Sequence, residues 1–216
     1  MAAVLPGLNR AAMHITVVGA SASYARGFVT WAVAAGYHVP VVGPSRGQAE
    51  AFARKLDAAI AAGPRDPIAD NIVFLAMPYT CVLDARDSYG RQLDGKIVVD
   101  LTTPVDPETF EPIHPKAGSA AQEIKSAQPG ARVVKAFHPR FVGPQDARQN
   151  STAQTRDVYL AGDDAGAKHF VAQLFESGGL RPIDVGPLRR ARELEAAEYF
   201  GVVARLFPEA ASRSVL

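Results

Sequence analysis

The amino-acid sequence predicts an α/β fold, in which a doubly wound and mostly parallel sheet carries helices on both faces. Two observations predict this class. Short runs rich in β-branched residues alternate with helical segments along most of the chain, and turn residues separate them. Several of these runs, such as 71–77, are continuously apolar, as is typical of strands buried on both faces of a parallel sheet. The 216 residues suffice for one domain with a sizeable core.

The order of the elements follows from the apolar runs and the breakers between them. We predict strands over 14–18, 37–42, 71–77, 96–102, 132–137, 157–162 and 180–186. We predict helices over 22–35, 46–62, 78–88, 120–127 and 163–177, and a last, C-terminal helix over 188–206. Residues 103–116 carry four prolines and are predicted to form a long loop. A parallel order places the C-terminal ends of the strands at one edge, where such sheets bind ligands.

Composition narrows the class of protein further. The chain is 48% hydrophobic and 21% charged, with a net charge of +1, which gives no reason to expect a nucleic acid or a membrane as partner. Its single cysteine, Cys81, excludes an intrachain disulfide, and its apolar surroundings favour a buried thiol. We expect a cytoplasmic protein with a flexible extension over 1–12 and one domain over 13–216. The five histidines lack the spacing of a metal site, so no metal is expected.

The stretch "ITVVGASASYARG" (15–27) lies where a dinucleotide-binding loop would follow the first strand. Such loops use one glycine for a tight turn, a second for close approach of a pyrophosphate and a third for helix packing. Gly19 supplies the first, but Ser21 or Ala22 stands at the second and Ala25 at the third. The serine hydroxyls and the helix N-terminus can still hold phosphate. The alternative is a strand-to-helix joint that binds nothing.

The tip of the second strand reads "GPSRG" (43–47) and contains no carboxylate. An Asp or Glu at this place accepts a hydrogen bond from the ribose of NAD. Ser45 and Arg46 instead offer a hydroxyl and a planar guanidinium, which suit a 2′-phosphate. Alternatively, the pair only caps the next helix and leaves Arg46 solvated. Together with the preceding loop, these residues favour binding of NADP(H).

From about His14 to Leu206 the chain resembles the NADP oxidoreductases that use the deazaflavin coenzyme F420. The resemblance rests on "SAAQEI" (119–124), "VVKAFHP" (133–139) and above all "AGDDAGAKHFVAQLFESGGLRPIDVGPLRRAREL" (161–194). It implies a Rossmann-type NADP-binding domain and hydride transfer between NADPH and a ring-shaped acceptor. It also implies a homodimer, and a smaller acceptor-binding portion over about 132–216.

The resemblance also assigns residues to the cofactor. It places the pyrophosphate at Gly19, Ser21, Ala22, Ser23 and Tyr24, the 2′-phosphate at Ser45 and Arg46, and the nicotinamide at Met77, Pro78, Tyr79 and Leu83. In archaeal members a basic residue follows four positions after the arginine, where this chain has Glu50.

For the acceptor, the resemblance implies the segment after the fifth strand, with His138, Arg140 and Val142. Such enzymes need no obligatory acid or base, so we nominate no catalytic residue. His138 could hydrogen-bond the acceptor or simply be a satisfied histidine at a strand end, and we expect Lys135 to be surface charge. Two alternatives stay open: an NADPH reductase with another acceptor (a flavin, an imine or a metal chelate), or a non-catalytic nucleotide-binding protein with a degenerate loop.

Overall fold

A computed structural model describes residues 14–19, 23–56, 60–63, 66–82, 89–138 and 156–206. Within these residues eight strands form one sheet, in the order β3-β2-β1-β4-β5-β6-β7-β8. The strands are β1 Thr16–Val18, β2 Pro40–Val42, β3 Ile60–Ala62, β4 Ile72–Leu75, β5 Ile97–Asp100, β6 Arg132–Phe137, β7 Asp157–Gly162 and β8 Arg181–Gly186. The predicted doubly wound, mostly parallel fold is confirmed.

The sheet changes direction once. Strands β1 to β6 are parallel, whereas β7 pairs antiparallel with β6, with Phe137 opposite Tyr159 and Val134 opposite Gly162. Strand β8 is parallel to β7. The expectation that all strands end at one edge is therefore wrong for β7 and β8. The edge predicted to bind a ligand, which we call the functional edge, is formed by the C-terminal ends of β1 to β6, and the strand order reverses between β1 and β4.

Helices cover both faces of the sheet. They are α1 Ser23–Ala34, α2 Arg46–Leu56, α3 Ala120–Ala127, α4 Ala165–Ser177 and α5 Ala191–Leu206, with 3₁₀ turns at Tyr79–Cys81, Gly90–Leu93 and Leu188–Arg190. Helix α3 matches the prediction, because Ser119 caps it by accepting a hydrogen bond from the N–H of Gln122 at 3.1 Å. None of the helices in the described part of the chain has the length and hydropathy needed to cross a membrane.

Alternating residues of the central strands build two cores, one on each face. Val17, Phe74 and Val134 point towards α1 and α4, while Val73 and Val133 point towards α3 and the start of α5. On the first face, Phe28 of α1 stacks on Phe74 with ring centroids 4.2 Å apart. Burial on both sides explains why these strands are apolar without interruption.

Two further expectations are wrong. The helix predicted over 46–62 ends at Leu56, and Ile60–Ala62 form β3 instead, because parallel pairing with Pro40–Val42 outweighs the helix propensity of this alanine-rich run. Cys81 is exposed rather than buried, since it lies at the end of a 3₁₀ turn on the surface. The predicted extension over 1–12 lies outside the described residues.

Candidate active site

Gly19 forms a tight turn at the end of β1, at the point where the strand order reverses. Its φ is +113°, and a Cβ added there would lie 2.4 Å from the carbonyl oxygen of Ala76. Its N–H donates to the carbonyl of Val42 at 2.9 Å. A glycine is therefore required by the positive φ and by the close contact with Ala76 and Met77 after β4. Ser23 begins α1, with Tyr24 in its first turn, while Ser21 and Ala22 lie outside the described residues.

The predicted 2′-phosphate pair lies one strand away, where β2 ends and α2 begins. Ser45 caps α2: its Oγ accepts a hydrogen bond from the N–H of Gln48 at 3.3 Å. Arg46 is the first residue of the helix, and its side chain is 60% exposed. Its Nη2 lies 2.5 Å from Oδ2 of Asp66, in the loop after β3. The structure thus gives Ser45 a capping role and gives Arg46 a carboxylate partner that the sequence analysis did not identify.

The residues predicted to face the nicotinamide follow β4. Met77 and Tyr79 are buried and Pro78 is partly buried, while Leu83 lies outside the described residues. A Cβ at Gly19 would lie 2.8 Å from Cβ of Met77, so the turn after β1 and the residues after β4 touch each other. The Tyr79 hydroxyl donates to Oε2 of Glu123 in α3. Burial, together with this hydrogen bond and the charge of Glu123, raises the pKa of Tyr79 far above neutrality, so Tyr79 stays a phenol.

A second group of residues at the same edge was not predicted as a unit. It consists of four buried ionisable side chains, Asp100, Lys135, Glu195 and Glu198, which we call the buried charge cluster. Nζ of Lys135 donates to the carbonyl of Thr102 at 2.5 Å and to Oε2 of Glu198 at 3.1 Å, and lies 3.5 Å from Oδ2 of Asp100. Lys135 is fully buried, so its assignment as surface charge is wrong. The reason is that its position in β6 faces inward towards α5.

Burial determines the charge state of the cluster. It raises the pKa of Glu198 to about 8 and that of Glu195 to about 7, although Lys135 opposes both shifts. Burial also lowers the pKa of Lys135, but the charges of Asp100 and Glu198 outweigh it and the net shift is upward. Near neutral pH the cluster therefore holds a charged lysine beside carboxyl groups, of which Glu198 is mostly protonated.

The cluster joins the C-terminal helix to the functional edge. Glu195 of α5 accepts hydrogen bonds from the N–H groups of Ala120 and Ala121 at 3.0 and 3.2 Å, which are otherwise unsatisfied at the start of α3. Three residues later on the same helix, Glu198 accepts from the hydroxyl of Thr103 at 3.0 Å. The sequence signal that could have revealed the buried charge cluster is Lys135, which lies inside the otherwise apolar run "VVKAF".

His138 follows β6 directly and is only 1% exposed. Asp157, at the start of β7, has its pKa lowered mainly by its hydrogen bonds to Arg181 and also by His138. The other two residues predicted to contact the acceptor, Arg140 and Val142, lie outside the described residues.

Comparison with known proteins finds a family match for the part of the chain that contains β1 to β5. Residues 14–104 match the family described as NADP oxidoreductase coenzyme F420-dependent. The matched segment contains Gly19, the Ser45–Arg46 pair and the residues after β4, so the match covers the whole predicted cofactor side.

Individual relatives extend the match beyond this segment. The chain is 30% identical over 200 residues, 89% of its length, to metalloreductase STEAP3 of Rattus norvegicus, of which it spans 38%. It is 29% identical over 131 residues to the F420-dependent NADP reductase of Methanocaldococcus jannaschii, with 58% of each protein covered. The chain thus spans well under two thirds of the length of both relatives.

The fold has a close counterpart among solved structures. A crystal structure from Arthrobacter sp. FB24, provisionally described as an F420 dependent NADP-reductase, superimposes with a TM-score of 0.73 at 23% identity. The match covers 91% of this chain and 94% of that one. At this identity the likeness establishes the shared fold.

Proposed function

We propose that the chain is an NADP(H)-dependent oxidoreductase that transfers a hydride between NADPH and a ring-shaped acceptor, with coenzyme F420 as the leading candidate. One observation carries the proposal: the Gly19 turn and Arg46 lie at the ends of neighbouring strands, β1 and β2, inside the family-matching segment. This is the place where doubly wound sheets bind dinucleotides. The choice of hydride acceptor rests on the family resemblance and on the two named relatives.

The described residues fit NADP(H). Gly19 provides the turn that the first loop glycine requires, and the exposed guanidinium of Arg46 can form two hydrogen bonds to a 2′-phosphate. The residues that would hold the cofactor are Gly19, Ser21, Ala22, Ser23, Tyr24, Ser45, Arg46, Met77, Pro78, Tyr79 and Leu83. When bound, the cofactor supplies the hydride.

The protein's own contribution is placement. The hydrogen bond to Glu123 fixes the Tyr79 side chain, and the burial of Met77 and Tyr79 keeps water from this part of the site. His138, Arg140 and Val142 would contact the acceptor. No acid or base is assigned, because direct hydride transfer between two stacked rings requires precise distance and orientation rather than a proton donor at the reacting carbon.

The test is calorimetric titration of the protein with NADPH and with NADH. We expect NADPH to bind at micromolar concentration or tighter, and NADH to bind at least about tenfold more weakly. Arg46→Ala should remove this difference, whereas Arg91→Ala, which changes another exposed arginine away from the site, should leave it intact. Folded protein that gives no heat with either nucleotide would refute the enzyme proposal.

A second candidate is reduction of a metal chelate or flavin. The observation that favours it is the extent of the match to the rat metalloreductase, which runs over 89% of this chain against 58% for the archaeal F420-dependent reductase. Oxidation of NADPH should be followed with F420, FMN and ferric citrate in parallel. Turnover with F420 alone supports the first candidate, turnover with ferric citrate or FMN supports the second, and tight NADPH binding without any turnover indicates a non-catalytic nucleotide-binding protein.

We also propose that the protein is a cytoplasmic homodimer. Phe200 of α5 exposes 69% of its surface, which is unusual for a large apolar side chain and is consistent with a partner on this helix. Light scattering after size-exclusion chromatography would measure the mass, and a monomer at micromolar concentration would refute the dimer.

A further inference from the structure

Arg46, the residue proposed to bind the 2′-phosphate, has a carboxylate partner within the protein. Nη2 of Arg46 lies 2.5 Å from Oδ2 of Asp66, and the same oxygen accepts a hydrogen bond from the N–H of Gly63 at 2.8 Å. The N–H of Asp66 in turn donates to the carbonyl of Gly63 at 3.1 Å, which closes the turn after β3. The carboxylate is therefore held in place by the backbone, unlike that of a typical mobile surface ion pair.

We propose that Asp66 is a specificity-determining residue, whose carboxylate competes with the 2′-phosphate of NADP(H) for the guanidinium of Arg46. This inference rests on the proposed cofactor. A phosphate dianion and a carboxylate cannot both approach Arg46 closely without strong repulsion, so binding of the 2′-phosphate must displace Asp66. NADH, which carries a hydroxyl at this place, imposes no such displacement.

The local charges explain why the competition matters. Arg46 is the first residue of α2, and Glu50 lies one turn further along the same helix, also exposed. The arginine that the resemblance assigns to the phosphate therefore has Asp66 as its partner and a second carboxylate one helical turn away in the sequence. If Asp66 occupies Arg46 for about nine tenths of the time, the apparent affinity for a 2′-phosphate falls about tenfold. Asp66 thus reduces the preference for NADPH over NADH.

The experiment compares wild type with Asp66→Asn, which retains an oxygen for the Gly63 N–H but removes the charge. Adenosine 2′,5′-bisphosphate and adenosine 5′-monophosphate serve as probes, because they differ only in the 2′-phosphate and lack the nicotinamide. We expect Asp66→Asn to tighten the bisphosphate about tenfold, and NADPH equally, while leaving the monophosphate and NADH unchanged. In an Arg46→Ala background the same substitution should have a smaller effect.

Asp94→Asn is the matched control, since Asp94 is an exposed aspartate that pairs with Arg91, outside this site, at 3.4 Å. It makes the same change in net charge and should not alter binding of either probe. Equal tightening of both probes, or no change, in folded Asp66→Asn would overturn the inference while leaving the proposed function intact if NADPH still supports turnover. If the probes behave as expected but no turnover is found, the proposed enzymatic activity is refuted and the role of Asp66 is not. If no nucleotide bound wild type or Asp66→Asn, both the role of Asp66 and the proposed function would be refuted.

Discussion

Replacement of Lys135 by methionine tests the buried charge cluster most directly. Methionine retains most of the length and apolar volume of lysine, so packing in β6 changes little, but the positive charge is removed. Glu198 then loses the hydrogen bond from Lys135 at 3.1 Å and keeps the one from the hydroxyl of Thr103, while Asp100 loses the cation 3.5 Å away. The hydrogen bonds from the backbone and hydroxyl of Thr102 to Oδ1 of Asp100 remain.

The expected cost follows from burial. Removing one partner of a buried ion pair leaves an uncompensated charge and typically costs about 3–5 kcal/mol. Glu198 already has a raised pKa of about 8 with the lysine present, so it can become neutral, and the main cost at high pH comes from ionised carboxyl groups that lack a counter-charge. We therefore expect a loss of about 3–5 kcal/mol in the free energy of unfolding near pH 8, a large part of the stability of a typical domain.

The sign of the pH dependence is also determined. Without Lys135 the native-state pKa values of Glu195 and Glu198 rise further above those of the unfolded chain, because the charge that lowers them is gone. The native state then holds protons that the unfolded chain releases above about pH 4.5, so stability falls as the pH rises from about 5 to 8. The loss should be markedly smaller near pH 5 than near pH 8.

Urea unfolding followed by fluorescence of Trp31, the sole tryptophan, measures these differences. Its indole lies 5.5 Å from the ring of Phe28 in the core, so its emission reports loss of tertiary packing. Lys168→Met is the matched control: the Lys168 side chain is 15% exposed, but its partner Asp184 is 58% exposed and stays solvated when the lysine is removed, so the loss should be well below that of Lys135→Met. A Lys135→Met loss below about 1 kcal/mol near pH 8, or one independent of pH, would refute the assignment of Lys135 as the counter-charge.

Two further predictions concern the functional edge. Gly19→Ala should lower the melting temperature severely or prevent folding, because its Cβ would meet the Ala76 carbonyl. Gly36→Ala is the control: Gly36 has a φ of +85° but no atom within 4 Å of the added Cβ, so this change should cost only about 1–2 kcal/mol. Equal losses in the two variants would refute the close contact at Gly19. Glu195→Ala should accelerate amide hydrogen exchange at the start of α3, since the N–H groups of Ala120 and Ala121 lose their acceptor, and unchanged exchange would show that Glu195 does not cap this helix.

The sequence predicted the elements whose signals are local. The bounds of α3 follow from Ser119 and the breakers around it, and the strands of the central sheet follow from uninterrupted apolar runs. The turn at Gly19 could also be predicted, because a glycine at the end of a first strand is a local pattern. Strand β3 could not, since three residues after an alanine-rich helix carry no periodicity and become a strand only by pairing with β2.

Sequence alone therefore determined the fold class, and the edge that would bind a ligand and the role of the Ser45–Arg46 pair stay predictions. Tertiary structure decided which charges meet there. Lys135 and Glu198 are 63 residues apart, and Arg46 and Asp66 are 20 apart across a strand, so no local pattern relates either pair. The physical reason is that hydrophobic periodicity is set by neighbours in the chain, whereas burial and electrostatic pairing depend on which distant segments the fold brings together.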